Sequence, residues 1–247
     1  MPEARYLANM KTESELGKTI TTRWWWVRHA PVISPQEVLY GQADFPCDTH
    51  DVAALSHLAE ALPVTPHWII SPLQRTRQTA EAILAAPGGE PLGRPNFRIE
   101  PGLIEQQCGI WENTPWDEFY AKRKTDRPRC PYWATEADEV LEGGESYVQA
   151  FARAQAAIDR LMPEYLGQDV VVVGHGGVIR AGVAHGLGLP PSEAQKLQIL
   201  NLSLTRIDYK IEPNGWKFAR LITMNRTLSP PPLSYDHRYA PRNPKGV

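Results

Sequence analysis

Along the chain, short unbroken apolar runs alternate with stretches whose apolar positions recur every three to four residues. Trp24-Trp25-Trp26-Val27, His67-Trp68-Ile69-Ile70 and Val170–Val173 are the unbroken runs. Strand formers without polar alternation predict strands covered on both faces. Asp51–Leu62 reads as a helix with Val52, Leu55, Leu58, Ala59 and Leu62 on one face. Gly144–Met162 reads as another, through Val148, Phe151, Ala152, Ile158 and Leu161, and Val178–Gly186 as a third. Leu202–Tyr209 and Trp216–Thr223 predict a late hairpin, because the Asn214-Gly215 pair between them suits a tight turn. Strands alternating with helices predict a three-layer α/β sandwich around a mixed, mainly parallel sheet.

The two ends break this pattern. Met1–Thr21 is polar and aperiodic, which predicts a flexible leader. Leu228–Val247 carries Pro230, Pro231, Pro232, Pro241 and Pro244, which predict an extended arm. One domain over residues 22–227 remains. Composition changes this picture little: 42% of the 247 residues are hydrophobic and 22% charged, as in globular proteins. A formal charge of −2 supplies no global attraction to nucleic acid or to an anionic membrane surface. No apolar run approaches the ~20 residues of a membrane span, and the first twenty residues lack the apolar core of a secretory signal. The three cysteines, Cys47, Cys108 and Cys130, have no CxxC spacing, so neither a disulfide framework nor a zinc site is expected, and a cytoplasmic location is. The 23 prolines predict many short connections, and the 8 tryptophans large aromatic contacts.

In parallel α/β folds ligands bind beyond the carboxyl ends of the strands. The first run ends in Arg28-His29-Ala30-Pro31, the second in Ser71-Pro72-Leu73-Gln74-Arg75, the third in Gly174-His175-Gly176-Gly177. If these ends are neighbours, one rim carries two arginines and two histidines. A neutral imidazole nitrogen is a nucleophile toward phosphorus, and guanidinium forks match phosphate oxygens. A second histidine can donate to the phosphoryl oxygens during transfer. Ser71 reads as a helix N-cap, Pro72 as the first helical residue, and Gln74 as the partner in a capping box. Arg75 then falls in the first helical turn, leaning back toward an anion at the strand ends. Each piece alone has a plainer reading: an Arg-His pair is common, Ser-Pro caps helices, and a Gly-His-Gly-Gly turn resembles a nucleotide loop but lacks its spacing.

Taken together, these motifs resemble the histidine phosphatase superfamily, the phosphoglycerate-mutase-like proteins. The resemblance runs from about Trp24 to Leu221. It rests on Arg28-His29-Ala30, the Ser-x-Leu-x-Arg-x-x-Gln-Thr-Ala segment ending at Ala80, Gly174-His175-Gly176-Gly177, and Leu103–Glu112 with the family's Leu-x-Glu-x-x-x-Gly-x-x-Glu spacing. The resemblance implies that His29 becomes phosphorylated and Glu105 protonates the leaving group, with His175 assisting. Arg28, Arg75, His175 and Gly176 would hold the phosphoryl group. No metal and no cofactor are implied; the partner is a small phosphorylated metabolite, and homo-oligomerisation is left open. Glu112 and Glu145 are alternative acids, though both suit loop support. A phosphoglycerate-type mutase and a non-catalytic phospho-ligand-binding regulator are the alternative functions.

Where the family continues with Gly-Glu-Thr or Gly-Glu-Ser and an Asn, this chain has Ala30-Pro31-Val32-Ile33, so Ser34 or Gln36 would have to supply the missing phosphate contacts. Tyr40-Gly41-Gln42-Ala43-Asp44-Phe45-Pro46 resembles the alpha-ribazole phosphatase branch. Residues 106–142 form an insert with Trp111, Trp116, Phe119, Tyr120, Tyr132 and Trp133 around Lys122-Arg123-Lys124, Arg127 and Arg129. It reads either as an anchored basic segment or as a lid whose aromatics pack on the leaving group and whose cations attract the phosphate. No nucleic-acid motif accompanies it.

Overall fold

The three apolar runs become adjacent strands of one sheet. The computed structural model describes residues 18–34, 36–93, 95–123, 125 and 133–227. The C-terminal arm, Cys130, Lys124, Arg127, Arg129 and Tyr132 lie outside the described residues, as does most of the expected leader. Within them the strands are β1 (Ile20–Arg28), β2 (Val38–Leu39), β3 (His67–Ile70), β4 (Arg98–Ile99), β5 (Thr114–Pro115), β6 (Asp169–Gly174), β7 (Leu204–Ile211) and β8 (Lys217–Arg226). The α-helices are α1 (Val52–Ala61), α2 (Gln74–Ala85), α3 (Trp116–Lys122), α4 (Tyr147–Leu161), α5 (Gly176–Leu187) and α6 (Pro191–Ala194). β1 begins at Ile20, so the last two residues assigned to the leader belong to the sheet.

The main sheet has the order β4-β3-β6-β1-β7-β8. β4, β3, β6 and β1 are parallel, while β7 and β8 close one side as an antiparallel hairpin. Alternate side chains of each strand enter opposite layers. Trp24, Trp26, Val170 and Val172 meet α4 and α5 on one face. Val27, Val171 and Val173 meet α1 and α2 on the other. Both layers are apolar, which is why these strands read as unbroken hydrophobic runs.

Two helical faces differ from the periodicity. α4 buries Tyr147, Ala150, Phe151, Ala154, Ala157, Ile158 and Leu161, leaving Val148 and Ala152 in solvent. Val52 is likewise exposed, in the first turn of α1 ahead of the packed Leu55. Alanines and valines have too little apolar surface to orient a helix against the larger Leu, Ile and Phe side chains. The insert has a separate small core, Leu39, Cys108, Phe119 and Leu141, flanked by Trp111, Trp116 and Tyr120. It is tied to the segment after β1 by the two-residue ladder β2–β5. At its base, Gly109 (φ 60°) lies so close to Glu142 that a Cβ would come 2.0 Å from that carbonyl oxygen, so only glycine fits. No helix among the described residues is long and apolar enough to cross a membrane.

Candidate active site

β6 lies between β1 and β3, and its register pairs Arg28 with Gly174 and Ile70 with Val173. The three strands therefore end level. The residues that follow, His29, His175 and Ser71, stand on neighbouring strands, where spacings are about 4.8 Å. The His29 and His175 rings are 5.2 Å apart between centroids.

His29 is buried, and its Nδ1 lies 2.7 Å from the carbonyl oxygen of Ala30. A carbonyl only accepts, so Nδ1 carries the hydrogen; in the neutral ring the lone pair is on Nε2. Asn201 holds the loop from behind, donating its side-chain amide to the His29 carbonyl at 2.8 Å. His175 is fully buried, with Nε2 2.7 Å from the Ser71 hydroxyl. Ser71 Oγ accepts the Leu73 amide, and its remaining lone pair and its hydrogen let it either accept from Nε2 or donate to it. Nδ1 of His175, also buried, has no partner among the described residues; it carries the ring hydrogen where Ser71 is the donor to Nε2. Burial first, and then the charge of Arg75, hold His175 well below the usual histidine range, so the ring is neutral near pH 7.

The expected capping box at Ser71 does not form. α2 starts at Gln74 after Leu73, with no side-chain cap from Ser71. Asp44, thirty residues away, takes that role: its carboxylate accepts the Gln74 amide at 2.7 Å. Ser71 faces His175 instead, because the adjacent strand offers it a buried ring nitrogen. Arg75 is buried in the first turn of α2 and donates to the carbonyls of Gly41 at 2.8 Å and Ala43 at 2.9 Å. Its guanidinium lies 5.1 Å from the centre of the Tyr40 ring. Burial lowers its pKa, but a guanidinium stays charged. Arg75 Nε is a buried donor without an acceptor among the described residues. Segment 40–44, which suggested a branch of the family, thus caps α2 and holds Arg75.

Glu105 reaches the same place from the loop after β4. One carboxylate oxygen accepts the Gln106 amide at 3.0 Å and the other the Gly177 amide, at the start of α5, at 3.4 Å. The two alternative acids are engaged elsewhere. Glu112 accepts the amides of Gln42 and Cys108. Glu145 accepts the Gln107 amide and pairs with Arg153 at 2.6 Å. Arg153 also donates to the carbonyls of Gly102, Ile104 and Glu105, so it shapes the loop that carries Glu105. Arg28 donates to the carbonyl of Ile199, and a Cβ on Gly176 would sit 3.8 Å from the Arg28 guanidinium.

A cavity of about 720 Å³ borders this cluster, although His29, Arg75 and His175 do not line it. Arg28, Glu105, Gly176 and Gly177 line it, together with Tyr40, Leu39, Trp116, Trp133 and Tyr147. Ser34 borders the cavity and donates to the Gln36 carbonyl at 2.7 Å, and Gln36 is exposed. The insert brings its aromatics to the cavity but not its described cations. Arg123 is paired with Glu139 at 2.6 Å and Lys122 with Glu118 at 2.7 Å. The charge at that end comes from Arg180 and Lys196. Sequence patterns gave no sign of Arg180, Arg153, Asn201 or the Ser71–His175 bond. Each acts through tertiary contacts with backbone or a distant side chain. His185 joins Asp159 of α4 at 2.9 Å and Tyr209 of β7 at 3.2 Å.

A model of the histidine phosphatase superfamily (branch 1) matches residues 24–223. A probable phosphoglycerate mutase of Yersinia enterocolitica is 29% identical over 198 residues, covering 77% of this chain and 87% of that protein. A mycobacterial glucosyl-3-phosphoglycerate phosphatase superposes with a TM-score of 0.66 at 26% identity, covering 84% of this chain and 99% of the other. The alpha-ribazole phosphatase of Shigella flexneri has a TM-score of 0.66 at 22% identity, over 83% and 96% of the two chains, a likeness of fold.

Proposed function

Because the chain belongs to the histidine phosphatase superfamily, we propose that it is a metal-independent phosphomonoesterase acting through a phosphohistidine on His29. One observation carries this reading. With Ser71 donating to Nε2, His175 Nδ1 and Arg75 Nε are buried N–H donors without acceptors among the described residues, and they accompany the imidazole of His29 at the strand ends. Buried donors left unpaired are costly, and phosphoryl oxygens are acceptors that would satisfy them.

In the first step the Nε2 lone pair of His29 attacks phosphorus, the bond to the ester oxygen breaks, and Glu105 gives that oxygen a proton. Arg28, Arg75 and neutral His175 stabilise the charge on the equatorial oxygens, helped by the N-terminus of α5. In the second step Glu105 takes a proton from water, which attacks phosphorus and frees His29. The substrate is a small phosphorylated metabolite, and the buried free thiols of Cys47 and Cys108 suit a reducing cytoplasm.

Phosphate release from para-nitrophenyl phosphate, with and without chelator, tests the reading. Activity unaffected by chelator, absent in His29→Ala, and accompanied by an acid-labile phosphoenzyme is expected. The likeness to the Yersinia protein favours a mutase as the second reading; transfer of phosphate to an added hydroxy-acid acceptor without net release would establish it.

A further inference from the structure

Among the described residues the arginines differ in what holds them. Several are neutralised: Arg123 pairs with Glu139, Arg153 with Glu145, Arg160 with Glu100 and Arg206 with Asp208. Arg28 donates to the Ile199 carbonyl, while Arg75 and Arg180 are held by backbone carbonyls, Arg75 by Gly41 and Ala43 and Arg180 by Leu197, with no carboxylate in an ion pair with either among the described residues. A carbonyl orients a guanidinium without cancelling its charge. Arg28 and Arg75 belong to the phosphoryl end. Arg180 does not.

Arg180 is half-buried in the cavity wall, and among the described residues no carboxylate lies within ion-pair distance of it. Its Nε donates to Leu197, which leaves the two terminal nitrogens, with four hydrogens, for other acceptors. It stands one helical turn beyond Gly176, about 6 Å along α5, and helical side chains lean back toward the N-terminus. The other wall charges beyond the phosphoryl end are Glu37 and Lys196, the latter paired with Glu193 at 2.6 Å. The wall also carries apolar and aromatic side chains, Leu39, Trp116, Tyr147 and Leu197 among them. The 720 Å³ space far exceeds what a phosphoryl group alone requires.

Resting on the phosphatase reading, we infer that Arg180 binds a second anionic group, a carboxylate or a second phosphate, on the leaving group. The substrate is then a phosphomonoester whose apolar or aromatic body carries that anion on the side away from the transferred phosphoryl group. A partly desolvated cation without a counter-ion gains most from a charged acceptor, so Arg180 selects among phosphomonoesters rather than taking part in the chemistry.

Phenyl phosphate, 3-carboxyphenyl phosphate and 1,3-phenylene bisphosphate form a matched set for the test. The wild type is expected to prefer at least one ester with an anionic body over phenyl phosphate by tenfold or more in kcat/KM. That ratio should fall to near one in Arg180→Met and be partly kept in Arg180→Lys. The carboxy and bisphosphate arms tell which anion is bound. A wild-type ratio near one, or a ratio that survives in Arg180→Met, overturns the inference. Calorimetric binding of phenylphosphonate and 3-carboxyphenylphosphonate asks the same question without turnover. A preference lost in Arg180→Met supports the anion site even if no ester is hydrolysed, which would sink only the phosphatase reading. Equal affinities for the two phosphonates in the wild type, with no bisphosphate preference in kcat/KM, refute the anion site.

Discussion

The Ser71 hydroxyl meets Nε2 of His175 across two neighbouring strands, at 2.7 Å, and donation from it would place the hydrogen of the buried ring on Nδ1. The serine that looked like a helix cap is a positioning residue for the second histidine. Ser71→Ala leaves Nε2 without its partner in a fully buried place, at a cost of about 1–3 kcal/mol. Phosphate release should drop roughly tenfold to a hundredfold, and the ¹⁵N signals of His175 should no longer report a single Nδ1–H tautomer. An unchanged tautomer with unchanged kcat would remove Ser71 from this role.

His175 also predicts a pH dependence of stability. Its folded pKa is held well below the usual value, by burial and by Arg75, whereas the unfolded side chain titrates near ~6.5. The unfolded chain therefore binds a proton that the folded one refuses as pH drops below ~6.5. The associated stability is fully present above that pH and is lost as pH falls toward the folded pKa, by up to about 1.4 kcal/mol per pH unit. Urea titrations from pH 7.5 to 5 should show this slope reduced in His175→Asn. Equal slopes in both proteins would contradict it.

Gly177 gives a way to move Glu105 without touching it. A Cβ there would come 2.6 Å from the Glu105 carboxylate, the far end of a flexible side chain. Gly177→Ala should keep stability within about 0.5 kcal/mol while pushing Glu105 aside. A positioned general acid contributes on the order of 10²–10⁴ in rate, so kcat should fall substantially. In a Glu105→Gln background the same change should add little, since both act on one group. Additive losses would show that Gly177 matters for another reason.

The insert should depend on its ion pair rather than offer it to a ligand. Arg123 and Glu139 meet at 2.6 Å with side chains 9% and 16% exposed, and the guanidinium lies 5.4 Å from the centre of the Phe119 ring. Arg123→Met leaves Glu139 without its partner in a mostly buried place, at about 3 kcal/mol. Hydrogen exchange in residues 114–122 and 133–142 should accelerate. Unchanged exchange would argue that the small core around Phe119 holds the insert unaided.

Strand runs and rim motifs were legible because burial on both faces of a parallel sheet leaves an unbroken apolar signature. The residues at a strand's carboxyl end are also contiguous with it in the chain. His29, Arg75 and His175 could therefore be read together before their strands were known to be neighbours. The helical faces of α1 and α4 were read less well, since Val52, Val148 and Ala152 fit the period yet lie in solvent.

By itself the sequence determined the alternation of strands and helices, the motifs of the rim, and an insert rich in aromatic residues. Tertiary structure decided what those residues do. The order of β3, β6 and β1 turned Ser71 toward a histidine 104 residues away and left the capping of α2 to Asp44. It paired the insert's Arg123 internally and set Arg180 in the cavity wall without a carboxylate partner among the described residues. The reason is physical: apolar periodicity is a local property of the chain, whereas a hydrogen bond or counter-ion belongs to whichever group the fold brings within reach.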